Sequence, residues 1–190
     1  LIDRASVLQR PYADSHAFFP INGNPSLTVM TPLWVPRSVD PAGGIWATTR
    51  DIMRYGRFHI NAGTDAGPAN VVSPESLLQM RESAMPIPGT SLQMGRDWFV
   101  QDVDGTRIFF HGGDTLGQHT DFFAIPEQNF VLVVLTNGQG GGSAASTAAL
   151  NAALRAGSQS PSGPSRKYPV GPSTITVSPG AATTFSALNS

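Results

Sequence analysis

The residues best equipped for chemistry lie between Phe109 and His119, in the stretch FFHGGDTLGQH. Here a histidine stands against two glycines at the end of an aromatic and β-branched run, which sets an imidazole beside bare backbone. Imidazole changes charge near neutral pH, and backbone that carries no side chain can be approached closely. Taken alone, His-Gly-Gly is most plainly a strand end with a capping histidine. His111, Asp114 and His119 are metal ligands by type, but their spacing follows no recognised zinc pattern and strand alternation would point the two histidines apart. Gly140 to Ala144, GGGSA, has the outline of a nucleophile elbow or phosphate loop. It lacks both Gly-x-Ser-x-Gly and Gly-Lys-Ser/Thr, so Ser143 is expected to be a helix cap.

The rest of the chain limits what such a stretch can serve. With 190 residues, a single domain can bury roughly 70% of its unfolded surface. The 12 basic and 13 acidic residues nearly cancel and form no run of one sign, which argues against an electrostatic grip on nucleic acid or membrane. Partners are expected to be small or neutral. There is no cysteine, so there is no disulfide framework or thiolate metal site, and an oxidising or a reducing compartment suits the chain equally. No run reaches the roughly 18 apolar residues of a membrane span.

The elements follow from local grammar. Prolines at 11, 20, 25, 32, 36 and 41 make residues 1–42 a mostly irregular wall with short extended pieces. Thr48 or Thr49 caps a helix with Asp51 in its first turn and Ile52, Tyr55, Phe58 and His59 at helical spacing, stopped by Asn61-Ala62-Gly63. SPESLLQMRE repeats the pattern, with Ser73 as cap, Pro74 in the first turn, and Leu77, Leu78 and Met80 to bury. Asp104-Gly105 signals a hairpin, and HTDFFAIPEQNFVLVVLTN adds two strands around Pro126 to Asn129. Val131 to Leu135 is wholly apolar, as in a central strand covered on both faces. An Ala- and Leu-rich helix is expected over 143–156, a linker over 157–172, and a tail over 173–190 with one strand at most, at 174–177. Helix, helix, four antiparallel strands and helix predict an α+β domain, an antiparallel sheet flanked by helices as in an α/β sandwich. Trp34, Trp46 and Trp98 suit core or rim packing better than a cleft wall.

PAGGIWATTRDIMRYGRF, followed by a hairpin, HGG, a strand ending in Leu-Thr-Asn and a helix, resembles the C-terminal half of the penicillin-recognising serine hydrolases, which include class C beta-lactamases, DD-peptidases, D-aminopeptidases and esterases. The resemblance covers roughly residues 36–156 and implies that 43–156 is the C-terminal part of a beta-lactamase/transpeptidase-like domain. In that superfamily the serine sits in Ser-x-x-Lys, a Tyr-x-Asn or Ser-x-Asn motif handles a proton, and a third motif, often Lys-Thr-Gly and commonly His-Gly-Gly, lines the far wall. Carried over, His111, Gly112 and Gly113 face the substrate, and the backbone N–H of Asp114 is one donor to the oxyanion of a tetrahedral acyl intermediate. His111 presents a polar or cationic edge. The implied partner is a small-molecule or peptide acyl substrate, and no metal or organic cofactor is needed.

Two motifs of that superfamily are not in these 190 residues. Lys167 is the only lysine and Pro164 stands three residues before it, so there is no Ser-x-x-Lys. Tyr12, Tyr55 and Tyr168 are followed two residues later by Asp14, Arg57 and Val170. Both motifs precede the matched region in the superfamily, so the expectation is that Leu1 lies within a longer protein whose N-terminal part supplies them. The alternative is an inactive binding module or a remnant of the fold. Relatives of this kind are often exported.

Overall fold

The computed structural model describes residues 3–61, 72–82, 85–103, 105–138, 146–149 and 183–188. Its elements are α1 (Arg4–Leu8), β1 (His16–Ile21), β2 (Asn24–Val29), a 3-10 turn (Arg37–Val39), α2 (Asp40–Gly43), α3 (Thr49–Ile60), α4 (Pro74–Glu82), β3 (Met85–Pro86), β4 (Gln93–Met94), β5 (Phe99–Val103), β6 (Thr106–Thr115), β7 (Gln118–Ile125), β8 (Phe130–Thr136) and β9 (Thr183–Leu188). Residues 146–149 are helical. Strands β3 to β9 form one antiparallel sheet in chain order. The remainder of the helix expected over 143–156, with its cap Ser143, the linker 157–172 and the strand at 174–177 lie outside the described residues. The tail segment that pairs with β8 is Thr183–Leu188.

The proline-rich beginning holds more order than its composition suggests. β1 and β2 form a separate hairpin around Asn22-Gly23, with Pro20 opposite Pro25. Both turn residues have positive φ, 52° and 79°, the backbone that Asn-Gly supplies to a tight hairpin turn. A two-residue turn makes Ile21 and Asn24 the hydrogen-bonded pair, so Pro20 and Pro25 fall on the non-bonded pair, where a missing N–H removes no ladder bond.

Helix α3 begins at a capping box. The Asp51 N–H donates to Thr48 Oγ1 at 3.2 Å, and the Thr48 N–H donates back to Asp51 Oδ2 at 3.1 Å, so two donors without helical partners are satisfied at once. The helix buries Met53, Gly56 and His59. That face is rotated from the expected set of Ile52, Tyr55, Phe58 and His59, and Tyr55 stays 46% exposed. Close approach explains the rotation: a Cβ on Gly56 would lie 2.6 Å from Val131 Cγ1 and 2.8 Å from Phe122 Cε2, so α3 meets the sheet through the one residue that lacks a side chain. Helix α4 buries Leu77 and Arg81. The Arg81 guanidinium donates to the His59 carbonyl at 2.8 Å and so ties α4 to the end of α3.

The core has two layers, one on each side of the sheet. Met53, Trp98, Val100, Phe109, Phe122, Ala124, Val131 and Val133 pack on the α3 side. Ile125, Phe130, Leu132 and Val134 pack on the other, with Ala149 against them. Alternate residues of β8 enter each layer, which is why its apolar run is unbroken. The molecule is thus an α+β fold, an antiparallel sheet with helices on both faces.

Candidate active site

Strand β6 continues through His111, Gly112 and Gly113 to Thr115 instead of ending at the histidine. Its neighbour β5 stops pairing at Phe99 opposite Phe110, whereas β7 pairs with β6 along its whole second half, up to Thr115 opposite Gln118. From His111 onward one edge of β6 therefore has no strand beside it among the described residues. The phase of the ladder decides which groups that edge presents. Val103 and Thr106 flank a two-residue turn, and so do Thr115 and Gln118. The pair flanking such a turn exchanges both hydrogen bonds, and bonded pairs recur at every second position. Both turns give the same answer: the N–H and C=O groups of His111, Gly113 and Thr115 face β7, and those of Gly112 and Asp114 face the open edge.

That edge forms one side of a cleft of about 360 Å³. His111, Gly112, Gly113 and Asp114 all line it, facing Trp34, Trp46 and the residues around α2. Helix α2 is held close to β6, because a Cβ on Gly43 would meet Thr115 Cγ2 at 2.8 Å. Gly43 of the PAGG block therefore lets its backbone approach the HGG strand, while Gly44 makes room for Asp40 of its own segment. Trp34 and Trp46 pack ring to ring with centroids 5.4 Å apart, and Arg4 stacks over Trp34 at 5.6 Å. Arg4 also donates to Asp40 Oδ1 at 3.0 Å and to the Val35 carbonyl at 2.8 Å. Of the three tryptophans, only Trp98 is in the core. The other two are half-buried and pack on each other at the rim, and that they also line the cleft is not legible locally, because the cleft is assembled across about seventy positions of chain.

The two glycines after His111 do different things. A side chain on Gly113 would meet no atom within 4 Å, whereas one on Gly112 would run into Asp121 Oδ1. Gly113 keeps the cleft side open; Gly112 makes room for a carboxylate on the opposite face. His111 is exposed, with its ring 5.8 Å from that of Phe99.

His119 lies under this strand and is only 6% exposed. Its Nδ1 is 3.0 Å from Asp114 Oδ1 and its Nε2 is 2.8 Å from Asp121 Oδ2. An ionised carboxylate only accepts, so this arrangement favours the imidazolium, which alone can donate from both ring nitrogens. Burial pulls the His119 pKa down, but the hydrogen bonds and charges of Asp121 and then Asp114 outweigh it and hold the group above its ordinary value. His111 leaves the strand on the opposite face, so His111, Asp114 and His119 do not converge as a metal ligand set. The clamp around His119 went unnoticed in the sequence. The short turn at Leu116-Gly117 was the available signal, because it sets Asp114 opposite His119.

A strap over residues 13–16 ties the N-terminal segment to this end of the sheet. The His16 N–H donates to the Asn137 carbonyl at 2.8 Å, Asn137 Nδ2 donates to the Asp14 carbonyl at 2.9 Å, and Gln118 Nε2 donates to Ser15 Oγ at 3.0 Å.

A family model described as Beta-lactamase matches residues 5–156, most of the chain. The chain belongs to the beta-lactamase family. It is also 31% identical over 113 residues to Penicillin-binding protein 4 of Amycolatopsis lactamdurans, a match that takes in 56% of this chain and 30% of that relative. The chain thus spans under a third of that relative's length. At the level of the family, the fold and the likeness make this a serine hydrolase-type domain related to beta-lactamases and penicillin-binding proteins.

Proposed function

We propose that the free edge of β6 is the oxyanion-binding wall of an acyl-transfer site, and that the nucleophilic serine, its lysine and the Tyr-x-Asn group come from a part of the protein N-terminal to Leu1. The observation that carries this reading is the phase of β6, which turns the Asp114 N–H away from β7 and into the cleft. A preorganised backbone donor there stabilises the negative oxygen of a tetrahedral intermediate, and the serine N–H supplies the second donor. The reaction is acylation of the serine by an amide or ester, followed by hydrolysis. It calls for no metal or organic cofactor. His111 replaces the permanent cation of Lys-Thr-Gly, and Arg4 in the cleft is neutralised by Asp40. Both features favour an ester or peptide acyl donor over one recognised through a carboxylate. The relative's name speaks of penicillin binding; a beta-lactam remains a suitable acylating probe for the same wall.

Fluorophosphonate and fluorescent penicillin labelling tests the reading. The 190-residue chain alone is expected to take up neither. The longer protein with its Ser-x-x-Lys is expected to label, and Asp114→Pro, which removes the cleft-facing N–H together with the carboxylate at His119, is expected to slow acylation about 10²–10³-fold relative to Asp114→Ala, which loses the carboxylate alone. Labelling of the isolated chain would reject the division of the site. An unlabelled longer protein that still binds acyl ligands, with its serine or lysine replaced, would establish the binding-module alternative.

A further inference from the structure

The Asp114–His119–Asp121 cluster has no part in the chemistry described so far, yet it grips the residue whose N–H faces the cleft. Asp114 is unusual on this strand, because its backbone enters the cleft while its side chain is tied to the other face of the sheet. The tie runs through a buried ring, and Asp121 anchors the far side of that ring at 2.8 Å. Gly112 leaves the space that Asp121 occupies. The three side chains and that glycine form one mechanical unit beneath the open edge.

We propose that His119 is the positioning residue for Asp114: by clamping the Asp114 and Asp121 carboxylates, it sets the height and tilt of the Asp114 N–H at the cleft. An edge strand with no neighbour is the part of a sheet least restrained against displacement, and on β6 this clamp takes over the restraint that a further strand would provide. The catalytic part of the inference rests on the acyl-transfer reading; the mechanical part does not. Asp114 from β6 and Asp121 from β7, the strand of His119 itself, are the charged groups acting on the ring, and β8 places the uncharged Thr136 opposite His119. Losing the ring proton removes a donor from one carboxylate, so the clamp holds at low pH and loosens as pH rises through the raised pKa of His119.

The test is an NMR pH titration of the 190-residue chain between pH 6 and 9. It is run in a His111→Gln background, so that the neighbouring imidazole contributes nothing. The expected result is that the Asp114 and Gly112 amide shifts move with the His119 imidazole, sharing a midpoint above 6.5. His119→Phe is expected to abolish that movement while the core amides of Val131 and Val133 keep their positions; His119→Gln serves if Phe does not fold. An Asp114 amide that stays flat through the His119 titration, or that still titrates without His119, overturns the proposal. In an active longer protein, His119→Phe is expected to lower kcat tenfold or more with KM within twofold and to remove the alkaline limb of the pH profile; unchanged kcat overturns the catalytic part. A longer protein that shows no acylation removes the proposed function, while the amide titration still decides the positioning role.

Discussion

Two buried histidines of this chain answer opposite physical demands. His119 sits between carboxylates that favour its charged form. His59 is 1% exposed among Tyr55, Trp98 and Phe109; burial, assisted by the nearby Arg81 charge, pushes its pKa from 6.5 down to about 4. The fold therefore holds His59 neutral, and below pH 6.5 the unfolded chain gains a proton that the native state refuses. Its contribution to stability is complete above pH 6.5 and is lost as pH falls toward 4. The size is about 3 kcal/mol at 1.36 kcal/mol per pH unit. Urea unfolding of wild type and His59→Phe checks this: the difference in their stabilities is expected to shift by about that amount, in favour of the variant, between pH 7 and pH 4. Parallel pH profiles would show that His59 does not titrate in this way. Because His119 shifts in the other sense, the comparison is made against the variant and not on wild type alone.

At the scale of elements, the contact between α3 and the sheet depends on one atom's width. The cap at Thr48 and Asp51 places the start of the helix, but Gly56 determines how near it comes to Val131 and Phe122. Gly56→Ala tests which matters more. Alanine in place of glycine raises helix propensity by about 1 kcal/mol, whereas overpacking a filled interface costs about 1–3 kcal/mol. With 2.6 Å to a side chain in the core layer, overpacking is expected to win and the variant to unfold at lower denaturant. A gain in stability would mean that the interface has room to move. The same economy of space recurs at Gly43 against Thr115, where α2 meets β6 beside the cleft.

The whole molecule closes around the cleft by joining distant segments, and the strap at residues 13–16 is one such joint. Asn137 is 8% exposed and gives its amide to the Asp14 carbonyl. Asn137→Ala is expected to cost about 0.5–1.5 kcal/mol by removing the hydrogen bond to the Asp14 carbonyl, and to speed amide exchange at His16, whose N–H bonds to the Asn137 carbonyl. Unchanged exchange at His16 would show that the strap is held by other contacts.

Much of this architecture was legible before any coordinates. Capped helices at α3 and α4, the hairpin after Val103 and the doubly covered strand β8 each follow from patterns within about a dozen residues, because capping, turn geometry and side-chain alternation are local. The hairpin at Asn22-Gly23 was equally local, but the weight of six prolines obscured it. By itself the sequence determined the type and order of the elements from α3 and α4 through β5 to β8, and its resemblance to the family placed His111, Gly112 and Gly113 on one strand. Only the tertiary structure decided that Trp34, Trp46 and Arg4 face them, that α3 turns its glycine to the sheet, and that Gly112 serves a carboxylate rather than the cleft. Those outcomes depend on which surfaces meet across long separations, and close packing settles that only once every neighbour is in place.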